Sequence, residues 1–213
     1  MRTTPILATA INELNRLLNN AISGTKLEEI SQTINQYAVA SAIASVGIAF
    51  VPGAGGVAAA LTQAGFVWST YVKINRILGV SMTDEFAKFI GTAFITNLMT
   101  QYGIVLIGHA FAQVISNIPL IGGFLAAIAE ASIGYVLIYA CAFLYLKLIC
   151  KMVGKDGSIQ VPDNKGDAEK TIKELMKDED ILSILKEAKE QFNAVRSEGT
   201  IDSAIRGAMK KNN

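Results

Sequence analysis

The chain has 213 residues, with 19 Lys+Arg against 18 Asp+Glu, one histidine, 51% hydrophobic residues and a mean hydropathy of +0.38. That length fits one or two small domains, and a net charge of +1 removes the electrostatic case for nucleic-acid binding. The balance hides an asymmetry. Lys147–Asn213 holds 13 Lys/Arg and 12 Asp/Glu, whereas Tyr37–Val72 has no charged residue in 36 positions and Phe89–Leu146 carries only His109 and Glu130 in 58.

In chain order, Thr4 and Pro5 form a helix-start signal, and Leu7, Ile11, Leu14, Leu18 and Ile22 follow at helical spacing until Ser23 and Gly24. Met1–Leu7 lacks the basic, apolar and small-residue order of a signal peptide, so membrane entry is expected only through internal segments. A second amphipathic stretch, Lys26–Gln36, carries Leu27, Ile30 and Ile34.

A first apolar hairpin is predicted next. Its arms are Tyr37–Val51 and Val57–Leu78, and its tip contains Pro52, Gly53, Gly55 and Gly56. Gly79 breaks the second arm, and Ser81 or Thr83 caps the next helix ahead of Asp84 and Glu85. The second hairpin rises from Glu85 to Asn117, turns at Pro119, Gly122 and Gly123, and descends from Phe124 to Met152. A shift of 67 residues superposes Pro52 on Pro119, Gly55–Gly56 on Gly122–Gly123, Gln63 on Glu130 and Trp68 on Tyr135, the pattern of an internal duplication.

Gly154–Gly166 reads as a linker. Beyond it Ile181, Leu185, Ala188, Phe192 and Val195 line one face of a helix and form a partner-binding stripe, the partner being the N-terminal helices, another protein or a lipid surface. Thr200 starts a last short helix. No segment reads as a strand. The expected fold is all-α: two hydrophobic helical hairpins with Pro/Gly tips, flanked by amphipathic helices. The expected divisions are 1–36, 37–152 and 153–213.

Apolar runs near ~20 residues are what a membrane-spanning helix needs. The basic residues Lys73, Arg76, Lys88, Lys147 and Lys151 all fall at the open ends of the hairpins, the arrangement of a protein with its termini on the cytoplasmic side of a bacterial inner membrane. The first arm, Tyr37–Val51, is short for a span, so a re-entrant hairpin and a soluble cytoplasmic bundle are the alternatives. His109 and Glu130 lie at similar distances before and after the Pro119 tip, and they are expected to form an intramembrane or buried polar pair.

Catalytic signatures are absent. There is no phosphate-binding loop beyond the superficial echo at Gly24, Thr25 and Lys26, one histidine does not make a His-rich metal site, and no nucleophile is paired with a base. Cys141 and Cys150, nine residues apart on one helix, face different sides and read as free apolar fillers. Neither cofactor nor metal is expected.

Val51–Gly55, Leu78–Ser81 and Ile118–Gly122 carry a family resemblance: a Pro-Gly turn entering a small-residue helix, a Gly-Val-Ser link, and an Ile-Pro-x-x-Gly turn. Over residues 38–152 the chain resembles the YcjF-like domains of unknown function that accompany Era- or dynamin-like GTPases in bacteria. It departs from them in having Gly56 where an acidic residue often follows the first turn. The resemblance implies a membrane-associated helical module working with a GTPase in trans. The expected function is thus a non-enzymatic membrane-associated anchor or regulator, with room for a homo-oligomer. A pore-forming or bilayer-perturbing protein and a soluble interaction bundle are the alternatives.

Overall fold

The computed structural model describes residues 4–48, 57–111, 122–162 and 164–212. They form an all-helical protein of eight helices: α1 (Pro5–Leu17), α2 (Gly24–Ile48), α3 (Val57–Leu78), α4 (Asp84–Phe111), α5 (Gly122–Met152), α6 (Lys165–Asp178), α7 (Ile181–Ser197) and α8 (Thr200–Asn212).

Most boundaries follow local chemistry. Pro5 opens α1, where its missing N–H is no loss. Thr4 occupies the capping position without capping. Its hydroxyl bonds Tyr139 instead, and the free Ile6 N–H of the first turn is taken by the Glu187 carboxylate of α7 at 3.0 and 3.1 Å. Thr83 Oγ1 accepts from Phe86 N–H at 3.2 Å and starts α4, with Asp84 and Glu85 favourably placed at its positive end. Asn164 and Asp180 cap α6 and α7.

Two boundaries expected from sequence fall within helices. The division at residues 36 and 37 falls inside α2, a continuous helix of 25 residues, because the chain changes composition there without a Gly or Pro to stop it. Gly122 and Gly123, assigned to a tip, are the first residues of α5. Pro52, Gly53, Gly55, Gly56 and Pro119 lie outside the described residues.

Side-chain bonds set the direction of the core helices. Glu29 of α2 pairs with Lys73 of α3, and higher up Ser41 and Ser45 bond Gln63, so α2 and α3 run antiparallel. On α3 and α5, Gln63 and Gly134 share the Ser41 hydroxyl, Tyr71 bonds the Cys141 carbonyl and Tyr145 bonds Asn75. Partners advance together, so these two helices run parallel. Helix α4 starts beside Tyr145, which contacts Met82, and packs along α3 and α5. The last residues of α2 and α4 and the first of α3 and α5 therefore share one end of the bundle, the upper end. Residues 78–84 and 152–162 lie at the base.

Helix α5 is the axis. It packs against every other helix, and Tyr135–Cys150 is buried throughout apart from Lys147, which is partly so. Helices α1, α6, α7 and α8 have polar outer faces and apolar inner ones, and α1, α7 and α8 lay theirs against α5. Each fully buried Leu, Ile or Phe contributes about 1.5–3 kcal/mol, which is what holds these short helices in place. Beyond Lys88, helix α4 is amphipathic without using charge: Thr92, Thr96, Thr100 and Gln101 form its exposed stripe, while Ile90, Phe94 and Leu98 face inward.

Candidate functional site

Among the described residues one helix, Phe124–Met152 within α5, is long and apolar enough to cross a membrane, and 89% of its most apolar stretch is buried inside the protein. A soluble core helix and a spanning helix share that composition. In this fold the polar groups along α5 are each keyed to a different neighbour. Tyr135 OH donates to Asn35 Oδ1 of α2 (3.2 Å), Tyr139 OH to Glu187 Oε1 of α7 (2.9 Å) and Tyr145 OH to Asn75 Oδ1 of α3 (2.6 Å). Burial drives all three phenols well above the ordinary tyrosine range, so they stay neutral donors.

Near the base, Lys147 donates to Glu13 of α1 at 2.7 Å and pairs with Glu179 at 3.2 Å, and its side chain is 19% exposed. Burial pulls its pKa down, but the hydrogen bonds it donates to Glu13 and Glu179, with their negative charges, outweigh that and hold it above the usual lysine value. Cys141 and Cys150 are both free and buried, and burial pushes the Cys150 thiol up to about 12.

Higher up, a polar cluster joins α2, α3 and α5. Ser41 Oγ lies between Gln63 Oε1 and the Gly134 carbonyl (2.9 Å), Gln63 Nε2 donates to Ser45 Oγ (2.7 Å), and Ser45 donates to the Ser41 carbonyl (2.9 Å). A Cβ at Gly134 would strike the Ser45 hydroxyl and stand 3.1 Å from Ser41 O, so glycine is what lets α2 and α5 approach this closely.

Above this layer the covering thins. Helix α7 reaches Tyr135 with Phe192, ring centroids 5.8 Å apart, and ends shortly after. From Tyr135 to Cys150 every residue of α5 but Lys147 is buried; above Gly134, Ala127, Ala129, Ala131 and Ser132 are buried, but Phe124, Leu125, Ala126, Ile128, Glu130 and Ile133 are only partly so. On α2 the outer face changes from Gln32 and Gln36 to Ala40 and Ile43, the latter 37% exposed. Gly122 is 13 residues above Tyr135, about 20 Å at 1.5 Å per residue. Glu130 is the only Asp, Glu, Lys or Arg in the sequence Phe89–Leu146.

Glu130 itself is half-buried. Its Oε2 is enclosed and has no hydrogen-bond partner among the described residues, and desolvation raises its pKa. The His109 side chain lies outside the described residues, so their pairing remains an expectation from sequence.

The stripe Ile181, Leu185, Ala188, Phe192 and Val195 is buried against the chain's own core. Sequence left its partner open among the N-terminal helices, another protein and a lipid surface; in this fold the stripe packs on α5. The tyrosines 71, 135, 139 and 145 are core residues, and Trp68 is half-buried beneath the Lys88 ammonium at 4.5 Å. Sequence reading did not find the bonds of Glu187 or the Glu13–Lys147–Glu179 cluster. The only signal was Lys147 ending a charge-free stretch.

No family model, no curated protein and no solved structure matches this chain. No group of three or more His, Cys, Asp or Glu able to hold a metal occurs among the described residues.

Proposed function

We propose that this is a non-enzymatic, membrane-associated helical protein that seats the upper end of its four core helices in one leaflet, while α5 stays sheathed below. The observation that carries this reading is the segregation of charge along the bundle. Ion pairs clasp the base, and about 20 Å of half-covered apolar helix with a single carboxylate stands above Gly134. A hydrocarbon core is ~30 Å thick, so this end is long enough for one leaflet and too short to span. Exposed Arg206 and Lys210 lie on α8, which starts just after α7 has reached the Tyr135 level, and they favour an anionic surface. A protein partner, a GTPase in trans included, belongs to the same proposal. With the inner face of α7 occupied, its outer face, where Leu182 is 54% exposed, is the part left open to it.

The test is flotation of the full chain with vesicles of anionic and zwitterionic phospholipid, in the absence of detergent. Co-flotation is expected, with Cys141 and Cys150 remaining unreactive to maleimide because α5 stays covered. A protein that stays monodisperse at the bottom of the gradient is a soluble interaction bundle, and the proposal fails. Co-flotation with both thiols becoming reactive and entrapped dye escaping is the bilayer-perturbing alternative, in which α5 leaves its sheath.

A further inference from the structure

Glu130 stands one helical turn above Gly134 on α5, about 6 Å at 1.5 Å per residue, where Ala126, Ile128 and Ile133 around it are only partly covered. Its Oε2 is enclosed and accepts no hydrogen bond from the described residues. An enclosed carboxyl oxygen without a donor disfavours the ion and tolerates the neutral acid.

The internal duplication sharpens this. The shift of 67 residues places Gln63 on Glu130. In the first hairpin Gln63 is buried, and its amide is bonded on both sides by Ser41 and Ser45 of the preceding arm, α2. The same shift carries Ser41 and Ser45 to Gly108 and Ala112, which have no side-chain donor. One hairpin thus holds a neutral amide supplied with hydroxyls, and the other a carboxyl at the matching position without them. A protonated glutamic acid has the shape and charge of glutamine, and an ionised one does not.

No other charge accounts for the state of Glu130. Tyr37–Val72 holds no Asp, Glu, Lys, Arg or His, so the upper parts of α2 and α3 present none. On α4 the one such residue after Lys88 is His109, whose side chain lies outside the described residues. Toward α7 and α8 the charges are Glu198 on the Tyr135 side, the Arg196–Asp202 pair at 2.7 Å, and exposed Arg206 and Lys210. Burial keeps Tyr135 itself a neutral phenol, and desolvation is what raises the pKa of Glu130.

We propose that Glu130 is a proton-operated latch on the membrane seat: the neutral acid lets the upper end enter the leaflet, and the carboxylate holds it out. This rests on the seat proposed above. Sinking that end as far as Gly134 carries Glu130 into hydrocarbon, where an ionised carboxylate is costly. Binding then takes up a proton, so affinity rises as pH falls, by at most about tenfold per pH unit.

The test is flotation of the full chain at pH ~5 and pH ~7.5 with vesicles of phosphatidylcholine and phosphatidylglycerol, whose phosphates stay ionised over that range. The parent should partition about tenfold or more better at the lower pH. Glu130→Gln should partition at both pH values as the parent does at the lower one. Glu130→Ala serves the same purpose if that variant fails to fold. His109→Gln should keep the parent's pH dependence. Equal partition of the parent at both pH values removes the latch and leaves the seat standing. PH dependence that persists in Glu130→Gln, or that is lost in His109→Gln, assigns the titration to another group and overturns the proposal. Absence of flotation by the parent and by Glu130→Gln at either pH removes the seat and the latch together.

Discussion

Tyr71 and Tyr145 stack face to face, centroids 3.8 Å apart and rings within 9° of parallel, and each sends its hydroxyl to the other's helix. Tyr71 donates to the Cys141 carbonyl at 2.9 Å and Tyr145 to Asn75 Oδ1 at 2.6 Å. Both bonds join residues 70 apart in sequence. This crossed pair keys α3 to α5 in parallel register and is the strongest reason the charge-free helices share one upper end.

The two phenols should not be equivalent. Tyr145→Phe leaves the buried amide oxygen of Asn75 without that donor and should cost ~1–3 kcal/mol. Tyr71→Phe removes a second bond from a helical carbonyl that keeps its own partner within α5, and should cost about 0.5–1.5 kcal/mol. Urea midpoints at unchanged m-value check the order. Equal losses would mean that stacking, and not the crossed hydroxyls, holds the register.

Two glycines on the core helices should respond to alanine in opposite senses. At Gly134 the added methyl meets Ser45 and Ser41 and pushes α2 off α5, a destabilisation of ~1–3 kcal/mol. At Gly65 nothing lies within 4 Å, so Gly65→Ala should stabilise by up to about 1 kcal/mol through helix propensity alone. Thermal melts of the two variants read the contrast directly. A neutral Gly134→Ala would deny the close approach of α2 and α5.

Glu130 predicts a pH dependence with a definite sign. Burial raises its folded pKa above the unfolded value of 4.5, so the folded state holds the proton more tightly. Its contribution to stability is complete below pH 4.5 and is lost as pH rises through the folded pKa. Glu130→Gln should therefore melt like the parent at low pH and higher than it at neutral pH. The gain should stay below about 1 kcal/mol because the residue is half-exposed and solvent screens it. An equal gain at both pH values would mean that the carboxylate charge is not the cause.

The membrane seat makes a residue-level prediction. Ile43 is an exposed apolar side chain on the charge-free part of α2 and Leu182 is one on α7. A carboxylate introduced at Ile43 meets the leaflet, whereas one at Leu182 stays in water. Ile43→Glu should lower the vesicle-bound fraction by about tenfold or more, the effect of ~1.4 kcal/mol or more for a charge moved into apolar surroundings. Leu182→Glu should leave it unchanged. Equal effects would assign membrane contact, if any, to another face.

Helix type and most helix ends were legible because they depend on neighbours a few residues away. Pro5, Gly79, the Thr83 cap and the Ile181–Val195 spacing are local signals, and the helices obey them. The composition changes at Gln36 and Tyr37, but α2 runs on through them because no residue there stops a helix. The Glu13–Lys147–Glu179 cluster is not legible for a different reason: it is a contact among segments far apart in sequence.

By itself, then, the sequence determined an all-helical chain, its apolar core segments, its charged flanks and the amphipathic stripe of α7, since periodicity and charge are carried by each segment alone. The tertiary structure decided what that stripe covers, and that α5 is an axis enclosed by its neighbours. A helix apolar on every side has no period to say which way it faces, and lipid and protein satisfy it equally. In this fold its tyrosines, each bonded to a different helix, place protein around it.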